Sequence, residues 1–540
     1  MSDPSTDLMS HTFPPSSQED WRALAEKALK GAPLSGLFAK TADDIEIAPL
    51  YADGRPVAPV APGADDANAR PASTSPPTET GRVDAWSAAT RALCIPRDGA
   101  TPWDIRALHG GTDAGDVNAA ILDDLAGGAS SICLQMAAPG QHGLGGTYAA
   151  MDAALAGAHL DMIHTSVLAG DQYVGAALAL EALWDARGCK AGGRRGAVNA
   201  DPIGHLARTG ELEDKLFDTL RTLAHFVATN HAGWPDCTLM LADARPYFEA
   251  GASEAQELAA MVATLVSYLR LGDEDGIAPY KVLPKIAVAL AADADIFLSL
   301  AKLRAARRLI ARIAETAGAE AFATTVPFWV QTGERMMSSL DPHTNMLRTT
   351  AAAAAAVFAG ADAVTVLPFD WPTAEDARMP RRIARNTQIM LAEESHLGRV
   401  ADPAAGSGYI ERLTDALCHA AWERFQAFEA VGGIEVSIRD GSFAEEISNV
   451  AAQRRQAVED GDTPLIGASM YAPTDDAAHP PSRYDPPAGH ATPGEKVRPL
   501  ERLRLAAPFE AAHLAAMDAN TSASLADPVA PAAKPNGAAA

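Results

Sequence analysis

From Thr101 onward the chain alternates short β-prone apolar runs with longer alanine- and leucine-rich stretches of helical period, the way repeated βα units look in sequence. Eight runs are predicted as strands: SICLQM from Ser131, DMIHTSVL from Asp161, GAVNAD from Gly196, CTLMLAD from Cys237, KIAVAL from Lys285, AFATTVPF from Ala321, DAVTVLPF from Asp362 and GRVAD from Gly398. Their starts lie 30 to 48 residues apart, room for a strand, a crossover helix and a working loop in each unit. Eight sequential parallel units predict an α/β fold closed into a (β/α)8 TIM barrel.

The flanks have a different texture. Asp20–Gly31 (DWRALAEKALKG) reads as an amphipathic helix with Trp21, Leu24, Ala25, Ala28 and Leu29 on one side, and Thr41–Tyr51 as a short alternating strand. Asp53–Arg82 is rich in Pro, Ala, Ser and Thr and too poor in large apolar residues to offset the entropy of ordering, so it reads as a linker or a surface-wrapping arm. After helices through Ile447–Glu459, Ala472–Glu495 carries six prolines and reads as a linker, and Glu495–Ala519 as one more helix. The division expected is an N-terminal arm at 1–95, the barrel with its following helices at 96–471, and a Pro/Ala-rich linker and tail at 472–540.

Composition narrows the function classes. With 540 residues and 48% hydrophobic positions the chain can bury a large core, yet no run reaches the 18 or more apolar residues of a membrane span. A net charge of −25 opposes binding to nucleic acid or anionic lipid. The start is polar and proline-containing, unlike a signal or transit peptide, so export is not expected. Cys94, Cys133, Cys189, Cys237 and Cys418 are scattered without CxxC or histidines at ligand spacing, which predicts reduced, buried thiols in a cytoplasm.

Barrel chemistry sits at the C-terminal ends of strands. Asp243, Asp293 and Asp402 fall there, as an acid/base or metal cluster or, more commonly, as helix caps and loop anchors. Gly140–Ala150 (GQHGLGGTYAA) has neither Walker nor Rossmann spacing; its glycines suit a tight βα loop better than a phosphate cradle. His142, His164 and His343 stand singly, and no nucleophile has an adjacent base. In Ala301–Gly318, Leu303, Ala306, Ile310 and Ile313 face one way and Arg304, Arg307, Arg308 and Arg312 largely another, which reads by default as a solvated basic surface and otherwise as a dock for an acidic partner or a CoA phosphate.

Several blocks, PWDIR (102–106), EAGA (249–252), AKLRAARRL (301–309), RIARNTQ (382–388), DPAAGSGYIE (402–411) and PLIG (464–467), span about 370 residues in an order that resembles the methylmalonyl-CoA mutase family. The early DWRALAEKALKG and TADDIEIAPLY and the late RPLERLRLAAPFE are more similar to small (β) subunits of bacterial heterodimeric mutases than to catalytic large subunits. The resemblance implies the barrel, and it also marks departures. Where catalytic relatives carry an arginine and a tyrosine flanking the PWDIR-like stretch, this chain has Thr101 and Leu108. Where they carry a Tyr-His pair before EAGA, it has Arg245 and Pro246, and neither leucine nor proline can donate a side-chain hydrogen bond.

The family's cobalamin-ligating DxHxxG is absent; DPHTN at Asp341 and DAAHPP at Asp476 lack the glycine. About 30 residues follow RPLERLRLAAPFE, too few for a cobalamin-binding domain. The resemblance therefore implies a non-catalytic small subunit with no catalytic, cofactor or metal residues of its own, paired with a large subunit that binds adenosylcobalamin and isomerises methylmalonyl-CoA and succinyl-CoA. Two other readings stay open: an active acyl-CoA mutase chain that borrows cobalamin from a separate protein, and a regulatory module that binds a CoA ester without chemistry.

Overall fold

The structure, a computed structural model, describes residues 17–51, 103–373, 378–473 and 487–526. Its centre is a closed barrel of eight parallel strands in sequence order: β1 (Asp104–His109), β2 (Ser131–Gln135), β3 (His164–Leu168), β4 (Gly196–Ala200), β5 (Cys237–Asp243), β6 (Ile286–Ala292), β7 (Phe328–Thr332) and β8 (Ala363–Thr365). β8 closes on β1 through Ala363 opposite Asp104 and Val364 opposite Ile105. The helices used below are α1 (Gln18–Ala28), α2 (Ala114–Ala126), α3 (Pro202–Thr209), α4 (Arg245–Glu249), α5 (Glu254–Glu274), α6 (Ile296–Thr316), α7 (Thr344–Phe358), α8 (Arg378–Glu393), α9 (Gly408–Val431) and α10 (Ala507–Ala526).

Strand alternation builds two cores. Along β6, Val288 and Leu290 join the large cluster between strands and helices, while Ala287 and Ala289 join Ala197, Leu241, Trp329 and Ala363 inside the barrel. β4 breaks register against β5 between Ala197 and Ala200. Asn199 there has φ +55°, a left-handed conformation asparagine tolerates, and its Nδ2 donates to Val167 O at 2.9 Å. The bulge re-aims the chain so that Asp201 caps α3, accepting the Gly204 N–H at 3.0 Å.

Two strand assignments change. GRVAD is not the eighth strand: Leu397–Arg399 is a 3-10 turn, and Asp402 sits at φ +41° with its carboxylate turned into the helical shell. The missing strand is β1, DIRALH, whose charged Arg106 faces inside the barrel and so disguises a buried run. In AFATTVPF, Glu320–Thr325 forms a 3-10 turn and the ladder begins at Phe328; in DMIHTSVL it begins at His164.

The N-terminal helix runs Gln18–Ala28, closed at its start by a Ser17–Asp20 capping box. Of Thr41–Tyr51 only Glu46–Ile47 is strand, paired with Ala39–Lys40. Thr101, Cys94 and Asp53–Arg82 lie outside the described residues. Glu495–Ala519 is not one helix. Glu495–Lys496 pairs with Glu211–Leu212, the chain stays extended past Pro499, which has no N–H to give, and α10 begins at Ala507.

That extended segment runs along the C-terminal face of the barrel as a strap. Gly140 N–H donates to Ala488 O (3.2 Å), Val497 N–H to Gly210 O (2.8 Å), Leu500 N–H to Ala207 O (2.8 Å) and Leu503 N–H to Glu249 O (2.7 Å). Arg502 pairs with Glu334 at 3.1 Å. The strap thus touches the segments that follow β2, β4, β5 and β7.

Candidate functional site

Leu108, near the end of β1, and Arg245, which opens α4 just after β5, line one cavity on the barrel axis together with Arg106, Cys133, Trp329 and Gln331. Its volume is about 20 Å³, room for roughly one water. Below it, the Arg106 guanidinium lies 4.2 Å from the Trp329 ring centroid, with Nη2 3.4 Å from His164 Nδ1 and Nε donating to Ser131 Oγ at 3.3 Å. An arginine and an indole therefore fill the barrel axis beneath the cavity.

Above it, Arg245 clamps its own neighbour. Nε and Nη2 donate to Asp243 at 2.8 and 2.7 Å, and Nη1 donates to Gln331 Oε1 at 2.9 Å, bridging β5 to β7 across the mouth. Burial works against the guanidinium's charge, but Asp243 holds it above the usual arginine range. Pro246 occupies the first turn of α4, where no N–H is required. Cys133, buried beside the cavity, is pushed up by burial against the pull of Arg106, so it is a neutral thiol.

The three aspartates are not brought together; each is bound to a different arginine. Asp243 holds Arg245, Asp293 meets Arg335 at 2.8 Å, and Asp402 takes Arg304 in a two-point pair at 2.9 and 2.8 Å. The anchoring role expected for them is kept by two, Asp243 accepting the Arg245 N–H at 3.0 Å and Asp293 the Ala294 N–H at 2.8 Å, with ion pairing added to it. His164 is inside the barrel and His343 stacks on Phe369 with centroids 5.3 Å apart. Among the described residues no three His, Cys, Asp or Glu side chains group as metal ligands. Gly140–Ala150 forms the tight loop expected: Ala137 N–H donates to Leu144 O at 2.6 Å, and a Cβ at Gly143 would come within 2.3 Å of Gln135 O.

Sequence reasoning missed a buried polar cluster beside the mouth. Asp201 is pushed up to about 7 by burial and by Asp243, against the pull of the Tyr268 hydroxyl that donates to it. Tyr247 is raised well above the usual tyrosine range by burial. The signal available was the DP pair opening a helix directly after a strand, which marks a cap but not its burial.

The basic helix face also reads differently in three dimensions. Arg304, Arg307 and Arg308 on α6 are about 2% exposed or less, not solvated. Arg304 adds Glu411 (2.9 Å) to Asp402; Arg308 holds Glu411 (2.7 Å) and Asp415; Arg307 reaches Asp362 at 3.2 Å and Gly360 O at 2.6 Å. AKLRAARRL is thereby stapled to DPAAGSGYIE on α9. Other blocks do similar work. Glu249 of EAGA accepts the Glu334 and Arg335 N–H groups, both at 2.9 Å, even though burial and Glu334 push it up to about 8. In RIARNTQ, Arg385 meets Asp124 of α2 at 2.7 Å and Gln388 accepts from Trp103 Nε1 at 3.2 Å.

Comparison with known proteins places these observations. The family model described as Methylmalonyl-CoA mutase matches residues 98–538. The methylmalonyl-CoA mutase small subunit of Streptomyces virginiae is 39% identical over 471 residues, covering 85% of this chain and 71% of that protein. The small subunit of Propionibacterium freudenreichii subsp. shermanii is 31% identical over 86% of this chain and 71% of its own length. The large subunit from the same organism is 28% identical over 68% of this chain and 53% of its own.

Proposed function

Since the chain belongs to the methylmalonyl-CoA mutase family, we propose that it acts as a non-catalytic small subunit, pairing with a catalytic large subunit that binds adenosylcobalamin and interconverts methylmalonyl-CoA and succinyl-CoA. The observation that carries this reading is the filled barrel axis. Leu108 supplies no hydrogen-bond donor, Arg245 is committed to Asp243 and Gln331, and about 20 Å³ remains between them and the Arg106–Trp329 stack. An acyl-CoA whose reacting carbons must enter the barrel has no room there. An active chain with borrowed cobalamin and a CoA-ester-binding module both require that room, so the same observation disfavours both.

Cobalamin is assigned to the partner because this chain's residues do not suit it. DxHxxG is absent from the sequence, and the histidine of its nearest string, His343 of DPHTN, stacks on Phe369. No helix among the described residues is long and apolar enough to cross a membrane, in keeping with a cytoplasmic complex. The chain's contribution is then mass-action stabilisation of the large subunit: binding the folded partner and not the unfolded one raises its stability.

Co-purification of the tagged chain with the large subunit of the same genome, followed by native mass and cobalamin absorbance, tests the proposal. A 1:1 complex with cobalamin on the partner is expected. A chain that recovers no large subunit, or that itself carries cobalamin, contradicts it.

A further inference from the structure

We propose that the cavity between Arg106 and Arg245 is a halide site that holds a single chloride ion. The charge of its walls is the first observation. Both arginines line it, and among the described residues no carboxylate does. Asp243 stands outside that lining, taken up in its two-point pair with Arg245 Nε and Nη2.

The kind of polar group the walls present is the second. A guanidinium only donates, and the bonds from Arg245 to Asp243 and Gln331 use three of its five N–H groups, leaving one on Nη1 and one on Nη2. Gln331 turns its Oε1 to Arg245, and the other end of its amide, Nε2, is a donor. Trp329 has only an indole N–H to offer, and Thr365 adds a hydroxyl. Cys133 is kept a neutral thiol by burial, so no thiolate competes with a bound anion. A water in such walls finds few acceptors for its own two hydrogens, whereas a halide takes donors alone.

Volume then selects among anions. About 20 Å³ is somewhat more than the roughly 10–15 Å³ one water requires, enough for the slightly larger chloride and too little for phosphate, sulfate or a carboxylate. Taking an ion out of water is costly, and two fixed cations offset that cost. Arg106 is held by the Trp329 ring at 4.2 Å and by Ser131 Oγ at 3.3 Å, and Arg245 by Asp243, so neither has to be ordered when the ion arrives. The Arg245 and Asp243 side chains keep 17% and 14% of their surface exposed, which gives the ion a way in from the mouth without opening the barrel.

Crystals of the full-length chain, grown without chloride and transferred to bromide, test the site on the native protein. An anomalous difference peak between the Arg106 and Arg245 guanidiniums is expected; an ordered water there with no anomalous signal would overturn the proposal. In solution, urea unfolding at fixed ionic strength, with chloride replacing gluconate, should show a saturable stabilisation. At ten times the dissociation constant the unfolding equilibrium constant falls about tenfold. Bromide should act likewise, sulfate should not, and Arg245→Met should remove the saturable part. Stabilisation left unchanged by Arg245→Met contradicts the site, and a bromide peak without any saturable effect in solution would make it an adventitious ion only and equally overturn it. If Arg245→Met does not fold, the bromide map and the native titration decide.

Discussion

The α6–α9 seam and the barrel axis are both built from arginines facing carboxylates and aromatics, yet they do opposite things. In the seam, Arg304 and Arg308 join Asp402, Glu411 and Asp415, tying together two helices about a hundred residues apart in sequence. On the axis, Arg245 ties Asp243 to Gln331 and Arg106 lies on Trp329, and the result is a filled channel. The seam is made from blocks that resemble the mutase family; the axis combines one such block, whose Arg106 lies on Trp329, with the departures Leu108, Arg245 and Pro246. The difference teaches that family resemblance in this chain reports its scaffold, and that its function must be read from the departures.

The contrast can be broken first at the seam. Arg304→Met leaves Asp402 buried without its cation, while Glu411 keeps Arg308, and is expected to cost about 3–5 kcal/mol, read by thermal or urea unfolding. A loss under about 1 kcal/mol would reduce the seam to an ordinary surface pair.

Beside the axis, Asp201 should add a share to the pH dependence of stability. Its folded-state value of about 7 lies above the roughly 3.9 of an unfolded aspartate, so folding binds a proton. The contribution is full below about pH 4 and is lost as pH rises towards about 7. At 1.36 kcal/mol per unit this is roughly 4 kcal/mol, and Asp201→Asn should reduce the slope in urea titrations run from acid to neutral pH, leaving the like-signed share of Glu249. A slope unchanged in the variant would place the proton elsewhere.

The plug itself should cost less. Arg245→Ala leaves Asp243 at a mouth that is partly open to water, and a loss of about 1–3 kcal/mol is expected. Equal losses from Arg245→Ala and Arg304→Met would erase the distinction between channel filler and brace. The smallest effect belongs to an exposed pair. Arg424 and Glu446, at 3.3 Å with both side chains well solvated, should couple by about 0.5 kcal/mol or less in a double-mutant cycle.

These contrasts also explain what the sequence could disclose. IAVALAA announces a buried strand because every position is apolar, and the spacing of such runs was enough for the barrel. DIRALH hid because Arg106 satisfies its charge inside the barrel, against His164 and Trp329 far along the chain, and periodicity cannot see partners at that distance. Arg304, Arg307 and Arg308 read as a wet surface for the same reason: the carboxylates that bury them lie 55 to 107 residues downstream. Leu108 and Arg245 were legible as candidates only through the resemblance, and nothing local told that they share one cavity. The strap was hidden by its prolines, which signal a linker whether or not the chain is bound along a surface.

The claim that the axis is closed to substrate is tested most directly by calorimetric titration of the full-length chain, without its partner, with methylmalonyl-CoA and succinyl-CoA. No binding heat is predicted for either ester, because Arg245, Gln331 and the Arg106–Trp329 stack leave room for little more than a water. Saturable micromolar binding that Arg245→Ala or Leu108→Tyr alters would contradict the account and return the chain to the acyl-CoA-binding members of its family.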